Sequence, residues 1–384
     1  MGRLGSCFRV RPVGPEKGGA TEIRDRSRCS KRPRALARLG RIWRIEEYEG
    51  QLIENNCGLQ ELSKMTPAMQ RVALVDNPAS GLSSSRRDDA VREARETLES
   101  AGVAVEYMTV DGPGSGAALA REAVRLGCDS IIVCGGDGTV HEVLQSLVGT
   151  RVALGVVPFG TANALASDLG LSKSPEKAVR ALLEAQPVQV PVGRIFFRGN
   201  DGVEQSRYFT VAAGVGADAL LMARMDPALK RRLGYFLYVM EAFKIWISHA
   251  FPLFEARFGT NGNGRPHVAE ASQLLAVRVR SFGGLVGKLA PGATLHSENL
   301  CLVAFKTRSR YRYLRFLLAV VGKRHTFSGD VELLKADSVE CVLRNGSRSR
   351  VYAEADGEVL GQLPVRIEIA SKTLTLLIPP HARP

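Results

Sequence analysis

The run Ile131-Ile-Val-Cys-Gly-Gly-Asp-Gly-Thr139 constrains this chain more than any other stretch. A short apolar segment stops in a loop almost without side chains, and apolar residues follow at helical spacing at Val140, Val143, Leu144, Leu147 and Val148. A strand apolar on both faces belongs in a parallel sheet covered by helices. Without side chains at Gly135, Gly136 and Gly138, backbone N–H groups can approach a phosphate closely, and the helix N-terminus adds its positive end. Asp137 puts one carboxylate among them, suited to Mg²⁺ or to taking a proton from an attacking hydroxyl. The same residues also read as a simple turn followed by a Thr139–Glu142 capping box, and that capping is expected in either case. Two consecutive glycines at the carboxyl end of a parallel strand, where open α/β sheets bind ligands, favour the phosphate loop.

Strand and helix patterns alternate around this loop. Strands are expected at 72–75, 103–110, 131–134 and 152–157, and helices at 88–100, 117–126 and 140–148, a βαβαβαβ order. After Pro187 the texture becomes short alternating runs at 207–212, 274–280, 300–305, 338–343 and 365–369, which reads as antiparallel sheet. The expected fold is therefore α/β: a parallel-sheet nucleotide-binding domain at 70–190, followed by a mainly antiparallel β-sandwich domain at 191–384. The Arg-rich segment 1–64 lacks periodicity and reads as a poorly ordered basic extension, with Met65 or Met69 a natural start. Two apolar stretches, 233–254 and 306–325, each carry basic residues (Lys230 to Arg232 before the first, Lys306 to Arg315 within the second) and fit a covering or a lipid-facing helix.

Lys plus Arg exceed Asp plus Glu by 52 to 39, a net charge of +13 that favours polyanionic partners. Nucleic acid is not expected, because no recognition motif accompanies the basic runs. The 7 Cys include no Cys-x-x-Cys pair, so neither a disulfide framework nor a zinc site is indicated. With no long apolar segment, the expectation is a cytoplasmic protein in peripheral contact with an anionic membrane; a homodimer is left open.

Further segments gather at the same sheet edge. Asn77-Pro78-Ala-Ser80-Gly81 follows the first strand, Thr109 ends the second, and Gly160-Thr161-Ala-Asn163 follows the fourth. Individually they read as a turn, a strand end and an N-cap for a helix stopped by Gly170. Gly112-Pro-Gly-Ser-Gly116 imitates a dinucleotide fingerprint, but its spacing is wrong and it reads as a flexible turn. Gly214-Val-Gly216-Ala-Asp218 reads as a glycine bulge before an exposed Asp, and Asp356-Gly357-Glu358 as a hairpin turn.

Together these segments resemble the catalytic domain of the diacylglycerol kinase and sphingosine kinase superfamily, including the bacterial soluble lipid kinases, from about residue 72 to the C-terminus. The resemblance implies an ATP- and Mg²⁺-dependent lipid kinase. Asn77, Ser80, Thr109, Gly135, Gly136, Asp137, Gly138, Thr139, Glu142, Thr161 and Asn163 would hold the nucleotide, with Asp137 as the contact to the Mg²⁺ of Mg-ATP. Asp356 and Glu358 would reach back toward the phosphates and share catalysis with Asp137, Glu358 being the candidate general base; Asp218 would orient the lipid hydroxyl. Ala164 follows Asn163 where many diacylglycerol kinases have Asp, which is closer to sphingosine kinases and leaves the lipid class open. Ser297-Glu298-Asn299-Leu300 replaces the family's Asp-Gly-x-Leu, so an accessory metal site is not expected. The alternatives are an NAD kinase-like phosphotransferase on a soluble acceptor and a non-catalytic nucleotide-binding membrane scaffold.

Overall fold

The computed structural model describes residues 69–382 apart from 82–83, 200, 226–234, 260–266, 283–288, 322–328, 345 and 348. The extension at 1–64 and the basic run at 230–232 lie outside the described residues. Strands β1 (Arg71–Asp76), β2 (Ala104–Thr109), β3 (Ser130–Gly135) and β4 (Ala153–Pro158) run parallel in the order β2-β1-β3-β4. Helices α1 (Ser84–Ser100), α2 (Ser115–Arg125) and α3 (Asp137–Leu147) connect them. The continuous apolar runs of β1, β3 and β4 are buried throughout, as an interior parallel sheet requires, whereas edge strand β2 is partly exposed. The strands end level: Asp76 lies opposite Thr109 and Cys134, and Gly135 opposite Pro158. Every βα loop therefore leaves from one rim.

Beyond α4 (Ala164–Asp168) and α5 (Pro175–Leu183), the chain turns to mainly antiparallel strands. These are β5 (Gln186–Arg198), β6 (Glu204–Phe209), β7 (Ala212–Val215), β8 (Phe254–Phe258), β9 (His267–Ala271), β10 (Gln273–Val277), β11 (Leu300–Phe305), β12 (Val331–Ala336), β13 (Ser338–Leu343), β14 (Tyr352–Ala355), β15 (Glu358–Gln362) and β16 (Val365–Ile378). Among the described residues the helices α6 (Ala217–Arg224), α7 (Tyr235–Ser248) and α8 (Arg310–Val321) interrupt them. One wholly antiparallel sheet has the order β12-β11-β10-β7-β14-β15. Phe209, Phe254, Leu274, Leu302 and Ile367 are among the buried residues that join it to the larger sheet.

The larger sheet does not stop near residue 190. Strand β16 is far longer than the expected 365–369: it pairs first with β13, shifts register between Ile369 and Thr373, and then sets Leu376 parallel to Leu154 of β4. The final strand thus extends the N-terminal parallel sheet and joins it to the antiparallel strands.

The expected strand at 207–212 is broken, with β6 ending at Phe209 and β7 starting at Ala212. The expected strand at 274–280 ends at Val277. The Arg278 guanidinium is buried and donates to the carbonyls of Pro191, Leu295, Ser297 and Asn299. Burial alone pulls its pKa down to about 10. Of the two apolar stretches, α7 buries Ile245 but exposes Phe243 and Ile247, and α8 packs Tyr313 against Phe251 and Phe305.

Candidate active site

Three loops meet backbone to backbone at the rim. A Cβ on Gly160 would lie 2.7 Å from the Cα of Gly136, and one on Gly81 would lie 2.8 Å from the Phe159 carbonyl oxygen. No larger residue fits either place without moving a backbone. Asn77 donates from Nδ2 to Thr139 Oγ1 at 2.7 Å and accepts from the Ala79 N–H, while Ser80 bonds the Asn77 carbonyl through both N–H and hydroxyl. Asn163 adopts a left-handed φ of 49° and closes its own loop, accepting from the Gly160 N–H and donating to the Gly160 carbonyl. Both asparagines are thus engaged in shaping the cradle.

The helix caps differ from expectation. Helix α3 begins at Asp137, earlier than its apolar periodicity suggests, with Gly136 as N-cap. Thr139 is therefore the third helical residue, its hydroxyl accepts from Asn77, and no Thr139–Glu142 capping box forms. The Glu142 carboxylate instead accepts from the N–H groups of Gly114 and Gly116 at 2.8 and 2.9 Å, at the start of α2. It fills the glycine loop that imitates a dinucleotide site. Thr161 is exposed and does not cap α4; Asn163 occupies the N-cap position, and Asp137 Oδ1 accepts from the Ala164 N–H at 2.7 Å. Asp137 therefore ties its own loop to the Gly160 loop. A cavity of about 390 Å³ opens beside them, lined by Arg86, Asp89, Phe159, Gly160, Asn163 and Lys173.

Thr109 lies across from Asp76 at the ends of β2 and β1, and both hydrogen-bond Tyr107. Asp76 was not singled out by the sequence patterns, although an acid closing an apolar strand is a usable signal. It is buried, its Oδ1 has no hydrogen-bond partner, and burial raises its pKa despite the Tyr107 hydroxyl and the nearby Arg87 guanidinium.

Asp356 and Gly357 both adopt left-handed backbone, with φ of 49° and 87°, and form the two-residue turn between β14 and β15. The Asp356 carboxylate points back into the protein. It accepts from the N–H groups of Thr210, Val211 and Ala212 at 2.9, 2.9 and 3.0 Å, the donors left over by the break between β6 and β7. Both oxygens accept from backbone donors, so the carboxylate expected to reach toward the phosphates here faces the β6–β7 break.

His141 joins that turn to the glycine-loop helix and was missed by the sequence reading. It is only 1% exposed, with Nδ1 at 3.5 Å from Asp356 Oδ2 and Nε2 at 3.0 Å from Glu358 Oε2. Burial drives the proton off, but hydrogen bonds donated to Asp356 and Glu358 outweigh it and hold the pKa at about 9, so the ring is an imidazolium at neutral pH. The hydrogen bond from His141 in turn holds Glu358 below the usual carboxylate range, while half of its side chain stays open to solvent. One turn along α3, Gln145 bonds both the N–H and the carbonyl of Tyr208. Two polar residues spaced i, i+4 on the helix, beside the apolar Leu144 and Val148, were the available signal.

Asp218 begins α6 and is not the exposed acid its glycine-rich setting suggested. Its carboxyl oxygens are buried without a hydrogen-bonding partner and lie so close to Gly214 that a Cβ there would sit 1.7 Å from Oδ2. Burial pushes its pKa up to about 7. Glu354 flanks Gly214 as well, accepts from the Gly357 N–H, and is raised by burial and by Asp218. Through Glu354, Asp218 is linked to the Asp356–Glu358 turn, while Glu142 is directed to the other side of α3.

Residues 71–195 match the diacylglycerol kinase catalytic domain, and residues 209–378 match the YegS C-terminal NAD kinase beta sandwich-like domain. A diacylglycerol kinase of Mycobacterium tuberculosis is 29% identical over 317 residues, covering 81% of this chain and 96% of that protein. One from Bacillus subtilis is 25% identical over 299 residues, covering 77% and 92% respectively. The crystal structure of a diacylglycerol kinase from Bacillus anthracis shares the fold, with a TM-score of 0.60 at 18% identity over 82% of this chain and 99% of that one.

Proposed function

The chain belongs to the diacylglycerol kinase catalytic-domain family of lipid kinases, and from that premise we propose that it transfers the γ-phosphoryl group of ATP to a primary hydroxyl of a diacylglycerol-like or sphingoid lipid. The observation that carries this reading is the joining of two centres by one helix: α3 has the abutting Gly136 and Gly160 backbones at its start and, through His141, the Glu358 carboxylate at its flank.

Phosphoryl transfer depends chiefly on positioning and charge neutralisation. Amides at the start of α3 and in the Gly160 loop would bind the phosphates, with Thr109 and Ser80 at the same rim. The donors fit magnesium delivered with the nucleotide. Asp137 offers a half-exposed carboxylate, and among the described residues no cluster of three His, Cys, Asp or Glu side chains forms a protein-only metal site. Such an ion keeps waters and binds one or two carboxylates plus phosphates, and it would supply neutralisation of phosphate charge.

Glu358, ionised and half open, would take the proton of the acceptor hydroxyl. A weak base is adequate because little charge develops on the attacking oxygen in a dissociative transition state. Asp218, buried and easily protonated, would hydrogen-bond that hydroxyl from the opposite side. Phe243, Ile247, Tyr311 and Leu318 are exposed on α7 and α8, as are Arg308, Arg310 and Arg315 on and beside α8, apolar and basic groups that would suit an anionic bilayer. Among the described residues no helix is long and apolar enough to cross a membrane.

The test is label transfer from γ-labelled ATP with Mg²⁺ to diacylglycerol, monoacylglycerol, ceramide and sphingoid bases in mixed micelles. Label on one lipid class, lost in Glu358→Gln, is the expected result. Wild-type turnover in Glu358→Gln with loss in Asp137→Asn would move the base to Asp137. Label only on a soluble acceptor, or on none, would refute the lipid reading.

A further inference from the structure

We propose that His141 is a positioning residue for phosphoryl transfer: by gripping Asp356 through Nδ1 and Glu358 through Nε2, it fixes both the direction and the charge of the Glu358 carboxylate. This rests on Glu358 being the base of the proposed reaction and adds the group that holds it ready.

The geometry is a chain of donors and acceptors with its fixed end in the backbone. Three amides left over by the β6–β7 break hold Asp356. Asp356 faces one nitrogen of His141, and the other nitrogen faces Glu358. The ring cannot drift, because its helix is anchored one turn later where Gln145 clasps the Tyr208 backbone. Of the groups in this chain, only Glu358 is open to solvent. A buried imidazole with no acid beside it would be neutral, and a neutral ring has one N–H to offer. Two carboxylates on opposite nitrogens need two donors, so the pair of acids and the imidazolium require one another.

The charged groups around the ring are few. Asp356 and Glu358 face it from the turn and β15, and Glu354 on β14 also senses the ring, although burial holds its pKa well above the usual carboxylate range. Arg207 on β6 acts on Glu358 in the same direction as His141, favouring the carboxylate. From the lowered titration range of Glu358 up to about pH 9 the Glu358–His141 pair is therefore an ion pair. Above that range the ring retains one proton, one carboxylate meets a lone pair, and the grip fails. Below it, Glu358 takes up a proton and cannot accept one from the lipid.

The experiment pairs a pH–rate profile with a ¹³C-histidine NMR titration of the full chain, the His141 signal being identified by its loss in His141→Asn. Expected is a wild-type plateau with an alkaline limb near 9 and a His141 titration at the same pH. In Glu358→Gln that titration should fall by about one unit or more, since one of the two stabilising acids is gone. His141→Asn should remove the alkaline limb and move the acid limb upward. It should lower kcat about 10- to 100-fold, no more than the lower end of what a positioned base supplies because Glu358 itself remains, and leave the KM for ATP within about threefold because the glycine loops are untouched. Adding His141→Asn to Glu358→Gln should cost nothing further, as coupled residues require. A wild-type His141 titrating near 6.5, or an alkaline limb that persists in His141→Asn, overturns the proposal. If no acceptor is turned over, the lipid-kinase reading fails, and the NMR titration alone decides whether the grip exists.

Discussion

Asp356→Asn separates an acid that binds a ligand from an acid that holds the fold. In the native site one oxygen accepts from Val211 and Ala212, and the other accepts from Thr210 and faces His141. The best placement of an amide keeps its oxygen on Val211 and Ala212 and turns its NH₂ toward the Thr210 N–H and the imidazolium. Thr210 is 1% exposed, so its N–H then has no acceptor and no water, which costs about 1–3 kcal/mol. The two surviving bonds lose their charge assistance, at about 1 kcal/mol each, and the imidazolium loses one counter-charge. The whole perturbation is worth about 3–5 kcal/mol, similar to breaking a buried ion pair. For a unit of this size that lowers Tm by roughly 5–8 °C. Urea unfolding at pH 7, followed by circular dichroism, measures it directly. A loss below about 1 kcal/mol would refute the reasoning and free Asp356 for ligand binding, where removal of a charge should leave the empty protein as stable or more so.

Gly160→Ala would place a methyl 2.7 Å from Gly136 Cα and 2.8 Å from Asn163 Oδ1, forcing the two loops apart. The expected outcome is a loss of about 1–3 kcal/mol in stability and at least about tenfold weaker binding of a fluorescent ATP analogue, as an overpacked phosphate cradle requires; unchanged affinity would show that phosphates bind elsewhere. Burial raises the folded pKa of Asp218 from the ordinary aspartate range to about 7, so the stability tied to its proton is full below pH 4 and is lost as pH rises through 7. Asp218→Asn should therefore raise Tm over wild type at pH 8 but not at pH 4, while weakening lipid binding. An equal Tm difference at both pH values would mean that the carboxyl is solvated in the native state.

The glycine-loop side of the candidate site was legible because its information is local. A buried strand, a run of glycines and a helix are contiguous in sequence, and parallel strands that end level bring such segments to one rim whatever the remainder of the chain does. The Asp356-Gly357 turn was legible for a similar reason, since two successive left-handed residues favour those residue types. Partners of the buried polar side chains were not legible. Glu142 stands where a capping box would use it, yet its carboxylate satisfies amides 26 and 28 residues away in α2. His141 lies in a helix that reads as core, and its significance comes from a carboxylate 215 positions later.

By itself the sequence determined the layered α/β and antiparallel organisation, the glycine loops and the acid-bearing turn, because propensity and periodicity act over a few residues. Only the tertiary structure decided that β16 returns to β4, that a strand break leaves three amides for Asp356, and that two acids enclose His141. The reason is that a buried polar group must find whichever partner the packed backbone leaves unpaired, and that choice is made only when distant segments meet.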